Sequence, residues 1–189
     1  TGYLKIDTFS NTLATQVEKA LNELEGMGLT SLIVDLRDNT GGYLTAATDV
    51  ASIFLNKGDK IFSLEYQNDV TDYKDETRES KNYPIVVLIN GNSASASEIL
   101  TAALKESYGA TTVGETSFGK GKVQQTMQLD DGSMIKYTSS YWLTPNGTCI
   151  DELGIAPDYY VTNTEQTDAS GNTIIVDDQL NKAIEILNE

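Results

Sequence analysis

The period of the hydrophobic pattern changes several times along the chain, and each change predicts an element. Gly2–Asp7 (GYLKID) alternates, which predicts a strand. Leu13, Val17, Leu21 and Leu24 recur at helical spacing, with the cap-type residues Ser10 and Asn11 before them and Gly28 after them. Ser31–Leu36 (SLIVDL) and Pro84–Ile89 (PIVVLI) are near-continuous apolar runs. Such runs suit strands covered on both faces, which are usually parallel. Leu44–Leu55 places Ala47, Val50, Ala51 and Phe54 on one helical face. Lys60–Tyr66 reads as a strand. Gln67–Asn82 is polar, with weak strand character at Val70–Tyr73, and predicts an exposed hairpin or flap.

After Pro84–Ile89, small polar residues lead into a predicted helix over Glu98–Lys105 and a short strand over Ala110–Val113. Val123–Leu129 and Met134–Trp142 flank Asp130–Ser133, a hairpin signal. Tyr159–Val161 is a last short strand, Thr162–Thr173 reads as a polar linker, and Asp177–Leu187 as an amphipathic helix. Strand–helix–strand alternation followed by a hairpin predicts an α/β fold, a mixed sheet with flanking helices.

Composition narrows the chemistry. The 189 residues fit one large domain or two small ones, and no apolar run approaches the ~20 residues that span a bilayer. Acidic residues outnumber basic ones by 28 to 13, for a net charge of −15. A nucleic-acid binder needs a basic footprint, and an anionic membrane surface would repel this chain. The single cysteine, Cys149, excludes an intrachain disulfide and a Cys-cluster metal site. The chain has no histidine, which excludes Ser-His-Asp, Cys-His and His-metal chemistry. Any nucleophilic enzyme here must use another base.

Three segments carry candidate chemistry. In Ile89–Leu100 (INGNSASASEIL) a buried strand turns through small residues into a helix. A serine there would expose its hydroxyl beside outward-pointing N–H groups, although Ser and Asn before a helix also serve as plain caps. In Ser117–Gln124 (SFGKGKVQ) a lysine lies between two glycines, with a glutamine four residues on. Neutral lysine can replace histidine as the base for a serine. A free lysine near 10.4 must be brought to about 7, at a cost of roughly 4 kcal/mol. Desolvation can do this, so Lys120 must be buried for the base assignment to hold. The bland alternative is a solvated Gly-Lys-Gly turn. In Asp35–Gly42 (DLRDNTGG) paired glycines after a buried strand could present an oxyanion donor, or form a tight turn in which Asp38 or Asn39 caps the next helix. Asp35 and Arg37 suit a structural ion pair.

These segments resemble, in order, the landmarks of the C-terminal processing peptidases (tail-specific proteases, peptidase family S41): DLRDNTGG, NGNSASASEIL, VGETSFGKGKVQ and YWLTPNGTCIDELGIAPD. The opening GYLKIDTFS and closing DDQLNKAIEIL resemble that family too. The resemblance implies a ClpP/crotonase-like fold, with a peptidase core over residues 1–162 and a linker with its helix over 163–189. It implies Ser95 as nucleophile, Lys120 as general base and Gln124 as the residue orienting the lysine. Ser97 would point into the helix, and Ser93 would cap it. The oxyanion hole would be the Ala96 N–H with that of Gly41 or Gly42, Gly41 being preferred. Thr40 stands where the family usually has proline. The implied activity is serine endopeptidase cleavage near the C-termini of unfolded or tail-exposed proteins, outside the cytoplasm of a bacterium and without a cofactor. No Gly-Leu-Gly-Phe-like loop of the family's PDZ domain is visible, and oligomers are possible. The alternatives are a non-catalytic module for apolar ligands or peptides on the same fold, and a crotonase-like enzyme using the oxyanion hole alone.

Overall fold

A computed structural model describes residues 1–77, 80–167 and 170–189. The elements in chain order are β1 (Gly2–Lys5), α1 (Leu13–Gly26), β2 (Leu32–Asp35), α2 (Leu44–Phe54), β3 (Lys60–Tyr66), β4 (Asp69–Lys74), β5 (Ile85–Ile89) and α3 (Ala96–Ala102). A π-helical segment (Ala103–Tyr108) extends α3, and β6 (Thr111–Gly114), β7 (Lys122–Gln128), β8 (Met134–Leu143), β9 (Tyr159–Tyr160), β10 (Thr164–Thr167), β11 (Thr173–Val176) and α4 (Asp178–Ile186) follow.

The class is α/β, as the alternation predicts. The parallel and antiparallel strands occupy separate sheets. The first sheet runs β1-β2-β5-β6-β9, every pair parallel. The second runs β4-β3-β8-β7, every pair antiparallel. β10 and β11 form a small hairpin inside the stretch read as linker. Burial gives no hint of that hairpin, because nearly all its residues are exposed.

The two apolar runs are continuous because both faces of the parallel sheet are covered. Leu32, Val34, Ile85, Val87 and Ile89 join the large core with α1, α2 and α3. Ile33, Val86 and Leu88 face the other way, against Ala183, Leu180, Ile186 and Leu187 of the C-terminal segment. A one-residue register slip would exchange the two sets.

Helix α1 stops where Gly28 allows it. At φ +87 the Gly28 N–H bonds to the Glu25 carbonyl, and the Leu29 N–H bonds to that of Leu24. That pair of bonds is a Schellman motif. At the other end the cap position falls on Thr12 rather than Ser10 or Asn11, with no side-chain cap bond.

An ion-pair cluster fastens α4 to the end of β2. Arg37 grips the buried Asp35 carboxylate at 2.6 Å and reaches Asp177 at 2.6 Å. Tyr3 donates to the same Asp35 at 2.6 Å, and burial beside that carboxylate pushes its phenol up to about 12. Asp177 also caps α4 by accepting the Leu180 N–H. Partial burial pushes the Asp177 carboxyl up, but bonds from Arg37 and Leu180 outweigh it and hold the group below its usual value. A carboxyl depressed by folding stabilises the fold above its unfolded pKa, near 3.9, and stops doing so as pH falls through the folded value. Protection of the α4 amides, relative to the intrinsic exchange rate at each pH, should therefore fall below about pH 4, and Asp177→Asn should show low protection at neutral pH. Equal protection at pH 6 and pH 3 in the unmutated chain would contradict this.

Candidate active site

β2, β5 and β6 are adjacent and parallel, so the loops leaving their carboxyl ends emerge along one edge of the sheet. In open α/β sheets that edge is where sites form. The three candidate segments are those three loops.

Ser95 sits at the end of the loop after β5, half-buried, as the N-cap of α3. Its φ of 59° and ψ of −115° lie outside the regions an L-residue favours. Such backbone costs on the order of 1–3 kcal/mol and persists only where the surroundings impose it. Its hydroxyl proton goes to no protein acceptor among the described residues, whereas both neighbouring serines are engaged. Buried Ser93 accepts the Asn90 N–H and donates to the Leu36 carbonyl, so it does not cap the helix. Ser97 does not turn into its helix but donates to the Asn39 carbonyl at 2.8 Å.

The glycine loop is packed against the serine turn. A Cβ on Gly41 would lie 2.7 Å from the Ala94 carbonyl oxygen and 3.0 Å from the Ala96 nitrogen. With φ at +103 the position is closed to other residues twice over. Gly41→Ala should lose about 1–3 kcal/mol in urea unfolding from the backbone conformation alone. Unchanged stability would mean the loop is not seated there.

The two glycines differ in what their N–H groups do. The Gly41 N–H is given to Asn39 Oδ1 at 2.8 Å, and Asn39 is fully buried with its amide on the Ile6 carbonyl. The Gly42 N–H makes no bond among the described residues, so Gly42 is the free donor of the pair. The Ala96 N–H, at the first turn of α3, is likewise uncommitted. Asn39 is thus a loop brace and not the cap of α2, whose N-cap position is Tyr43.

The lysine loop is not a solvated turn. Cβ atoms on Gly119 and Gly121 would each lie 2.8 Å from backbone of the Asp151–Gly154 turn, at the Gly154 and Asp151 nitrogens. Lys120 is clamped from both sides: its N–H bonds to Glu98 Oε2 at 3.0 Å and its carbonyl accepts the indole N–H of buried Trp142 at 2.8 Å. The side chain, however, is exposed, contrary to the expectation of burial. Among the described residues its amine makes no ion pair. Its neighbour Lys122 pairs with Asp151 at 2.8 Å and Glu152 at 3.4 Å, and these carboxylates hold its amine above the usual value. Gln124 lies on β7 just after a bulge at Val123, opposite Thr138, with its side chain exposed and no bond to Lys120.

The residue that sequence reasoning missed is Glu98. It is fully buried and accepts four hydrogen bonds. Oε1 takes the Ser117 hydroxyl and the Gly119 N–H, both at 2.6 Å. Oε2 takes the N–H of Ser95 at 2.8 Å and that of Lys120 at 3.0 Å. One oxygen therefore holds the backbones of residues 95 and 120 within about 6 Å of each other. The signal was present as Ser95-x-x-Glu98, a capping-box spacing at a helix start.

The model of peptidase family S41 matches residues 1–161. Two curated relatives of Bacillus subtilis are the carboxy-terminal processing proteases CtpA, 41% identical over 157 residues, and CtpB, 44% identical over 157. Each match covers 82% of this chain, but 34% of CtpA and 33% of CtpB, so the chain spans about a third of their length. Among solved structures, a photosystem II D1 C-terminal processing protease superposes with a TM-score of 0.81 at 32% identity, over 89% of this chain and 44% of that one. A putative peptidase from Parabacteroides merdae, at 23% identity and a TM-score of 0.77 over 99% of this chain and 61% of that one, shares the fold. With the three loops assembled on one sheet edge and the match running through all of them, the chain belongs to peptidase family S41.

Proposed function

We propose that the chain is the catalytic core of a serine endopeptidase that cleaves protein substrates near their C-termini, with Ser95 as nucleophile and Lys120 as base. The observation that carries this reading is the Ser95 turn: a serine in a costly backbone conformation, its hydroxyl proton unclaimed, anchored to the same oxygen as the lysine backbone. Cleavage near the C-terminus is taken from the names of the CtpA and CtpB relatives, both carboxy-terminal processing proteases.

In the proposed reaction the neutral Lys120 amine takes the Ser95 hydroxyl proton while Oγ bonds to the scissile carbonyl carbon. The Ala96 and Gly42 N–H groups receive the oxyanion. The lysine ammonium then returns the proton to the departing nitrogen as the C–N bond breaks. Water, deprotonated by the same amine, attacks the acyl ester, and Ser95 recovers its proton. Gln124, placed after the bulge, would orient the lysine side chain. The substrate is protein, in extended form, and the reaction needs no cofactor. The site of action would be extracytoplasmic, as the family resemblance implies.

The exposed Lys120 side chain favours one rival, a non-catalytic binding module on the same fold. A fluorophosphonate separates the two. The catalytic reading expects covalent labelling of Ser95, detected by mass spectrometry of its peptide, and none in Ser95→Ala. Absence of labelling in the unmutated chain would favour the binding module.

A further inference from the structure

A lysine that must lose its proton near neutral pH stands exposed in the free chain. Whatever desolvates it must come from outside the resting site. The loops of the site carry large apolar side chains that are also exposed: Tyr43 at 59%, Phe118 at 63% and Leu153 at 72%. Tyr43 follows the glycine pair of the oxyanion loop. Phe118 lies between Ser117 and Gly119, which both bond to Glu98. Leu153 belongs to the turn on which Gly119 rests.

None of the three sits on loose backbone. The Tyr43 N–H bonds to the Phe9 carbonyl at 2.8 Å, that of Phe118 to Ser93 at 3.0 Å, and that of Leu153 to Ile150 at 2.9 Å. Exposed apolar side chains on pinned backbone form a contact surface ready for a partner, because little ordering remains to be done on binding.

We propose that the substrate completes the base: apolar side chains flanking the scissile bond pack on Phe118, with Leu153 and Tyr43 at the rim, and strip water from the Lys120 amine. This rests on the Ser95/Lys120 reading above. A peptide with small polar side chains would bind without excluding water and leave the lysine protonated. Selectivity for apolar segments would then reside in the chemical step as well as in binding. The titratable groups on the elements packed around Lys120 are already committed. Glu98 faces backbone donors, Asp151 and Glu152 hold Lys122, and Asp38 on the oxyanion loop is turned to Asn90 and Asn92. Tyr141 on β8 lies opposite Lys122.

The test reads the lysine directly. The Ser95→Ala chain, labelled with 13C at lysine Cε, is titrated alone and saturated with two matched peptides, one with Leu and Val flanking the cleavage site and one with Ser and Thr. The Lys120 signal is identified by its loss in Lys120→Met. The apolar peptide is expected to move the Lys120 midpoint down by at least one pH unit, a tenfold change in proton affinity, and the polar peptide to leave it in place. Phe118→Ala, whose removed ring is exposed, should keep its melting temperature and lose most of that displacement. In turnover by the chain with Ser95 intact, the ascending limb, set by deprotonation of Lys120, should lie at lower pH in kcat, which reports the complex, than in kcat/KM, which reports the free protein. An apolar peptide that binds without moving the midpoint, or that does not bind, overturns the proposal, as does full displacement in Phe118→Ala. Failure of the underlying reading shows separately, as turnover of the apolar peptide that survives in Ser95→Ala.

Discussion

Lys120→Met should leave the melting temperature unchanged and lower peptide turnover by about 10²–10⁴-fold, the usual contribution of a general base. The fold has little to lose. The bonds that seat Lys120 come from its backbone, to Glu98 and Trp142, and methionine keeps both. The side chain is exposed and unpaired, so no buried partner is left behind. Lys120→Arg should be equally inactive despite its longer reach, because a guanidinium does not give up its proton in water. Lys122→Met is the control: that amine is held by two carboxylates and has no assigned step, so turnover should stay within a few-fold of the unmutated chain. The folded fraction of each variant, read from its urea unfolding curve, corrects kcat. If Lys120→Met retains more than about a tenth of the activity, the base is another group and the proton transfer proposed here is wrong.

Much of the scaffold could be read from periodicity because burial writes it there. Leu32–Val34 and Ile85–Ile89 are apolar at every position since helices cover both faces of their sheet, and that is what predicts parallel strands. The meeting of three loops follows from those strands being neighbours, so Ser95, Lys120 and the glycine pair could be placed together from the resemblance. What escaped were features made by hydrogen bonds rather than by burial of apolar surface. The β10–β11 hairpin pairs the polar Thr164–Thr167 with Thr173–Val176 (TIIV), whose apolar run was not read as a strand, and its isoleucines stay exposed. The choice between Gly41 and Gly42 depends on the direction of one peptide N–H, which the Asn39 side chain decides. Asn39 looked like a cap because its residue type favours caps, and it is instead consumed within its own loop. The exposure of Lys120 was unreadable for a different reason. Clamping the backbone and covering the side chain are separate requirements, and the glycines on either side report only the first.

Glu98→Ala should destabilise the chain by about 1–3 kcal/mol for each buried donor left without an acceptor. Three backbone N–H groups and the Ser117 hydroxyl would lose their acceptor, two of them at buried bonds and two at part-buried ones. A purely structural residue would stop there, with kcat per folded molecule preserved. Glu98 joins the backbones of nucleophile and base through one oxygen, so it is a positioning residue for the reaction proposed here. Loss of that link should lower kcat by about 10²-fold at little change in KM, the penalty of a misplacement near 1 Å. Glu98→Gln tells the two roles apart. An amide offers one oxygen and one donor group, so it can satisfy the Ser95 and Lys120 side or the Ser117 and Gly119 side, but not both. With its oxygen on Ser95 and Lys120, the Gln variant should unfold at lower urea concentration yet keep most of its kcat. With the oxygen on the other side, kcat should fall with stability. In either orientation kcat should track the Ser95–Lys120 link, as read from backbone amide shifts of those two residues. If the Ala variant, corrected for its folded fraction, turns over at the unmutated rate, Glu98 supports the loop without aligning the reacting groups.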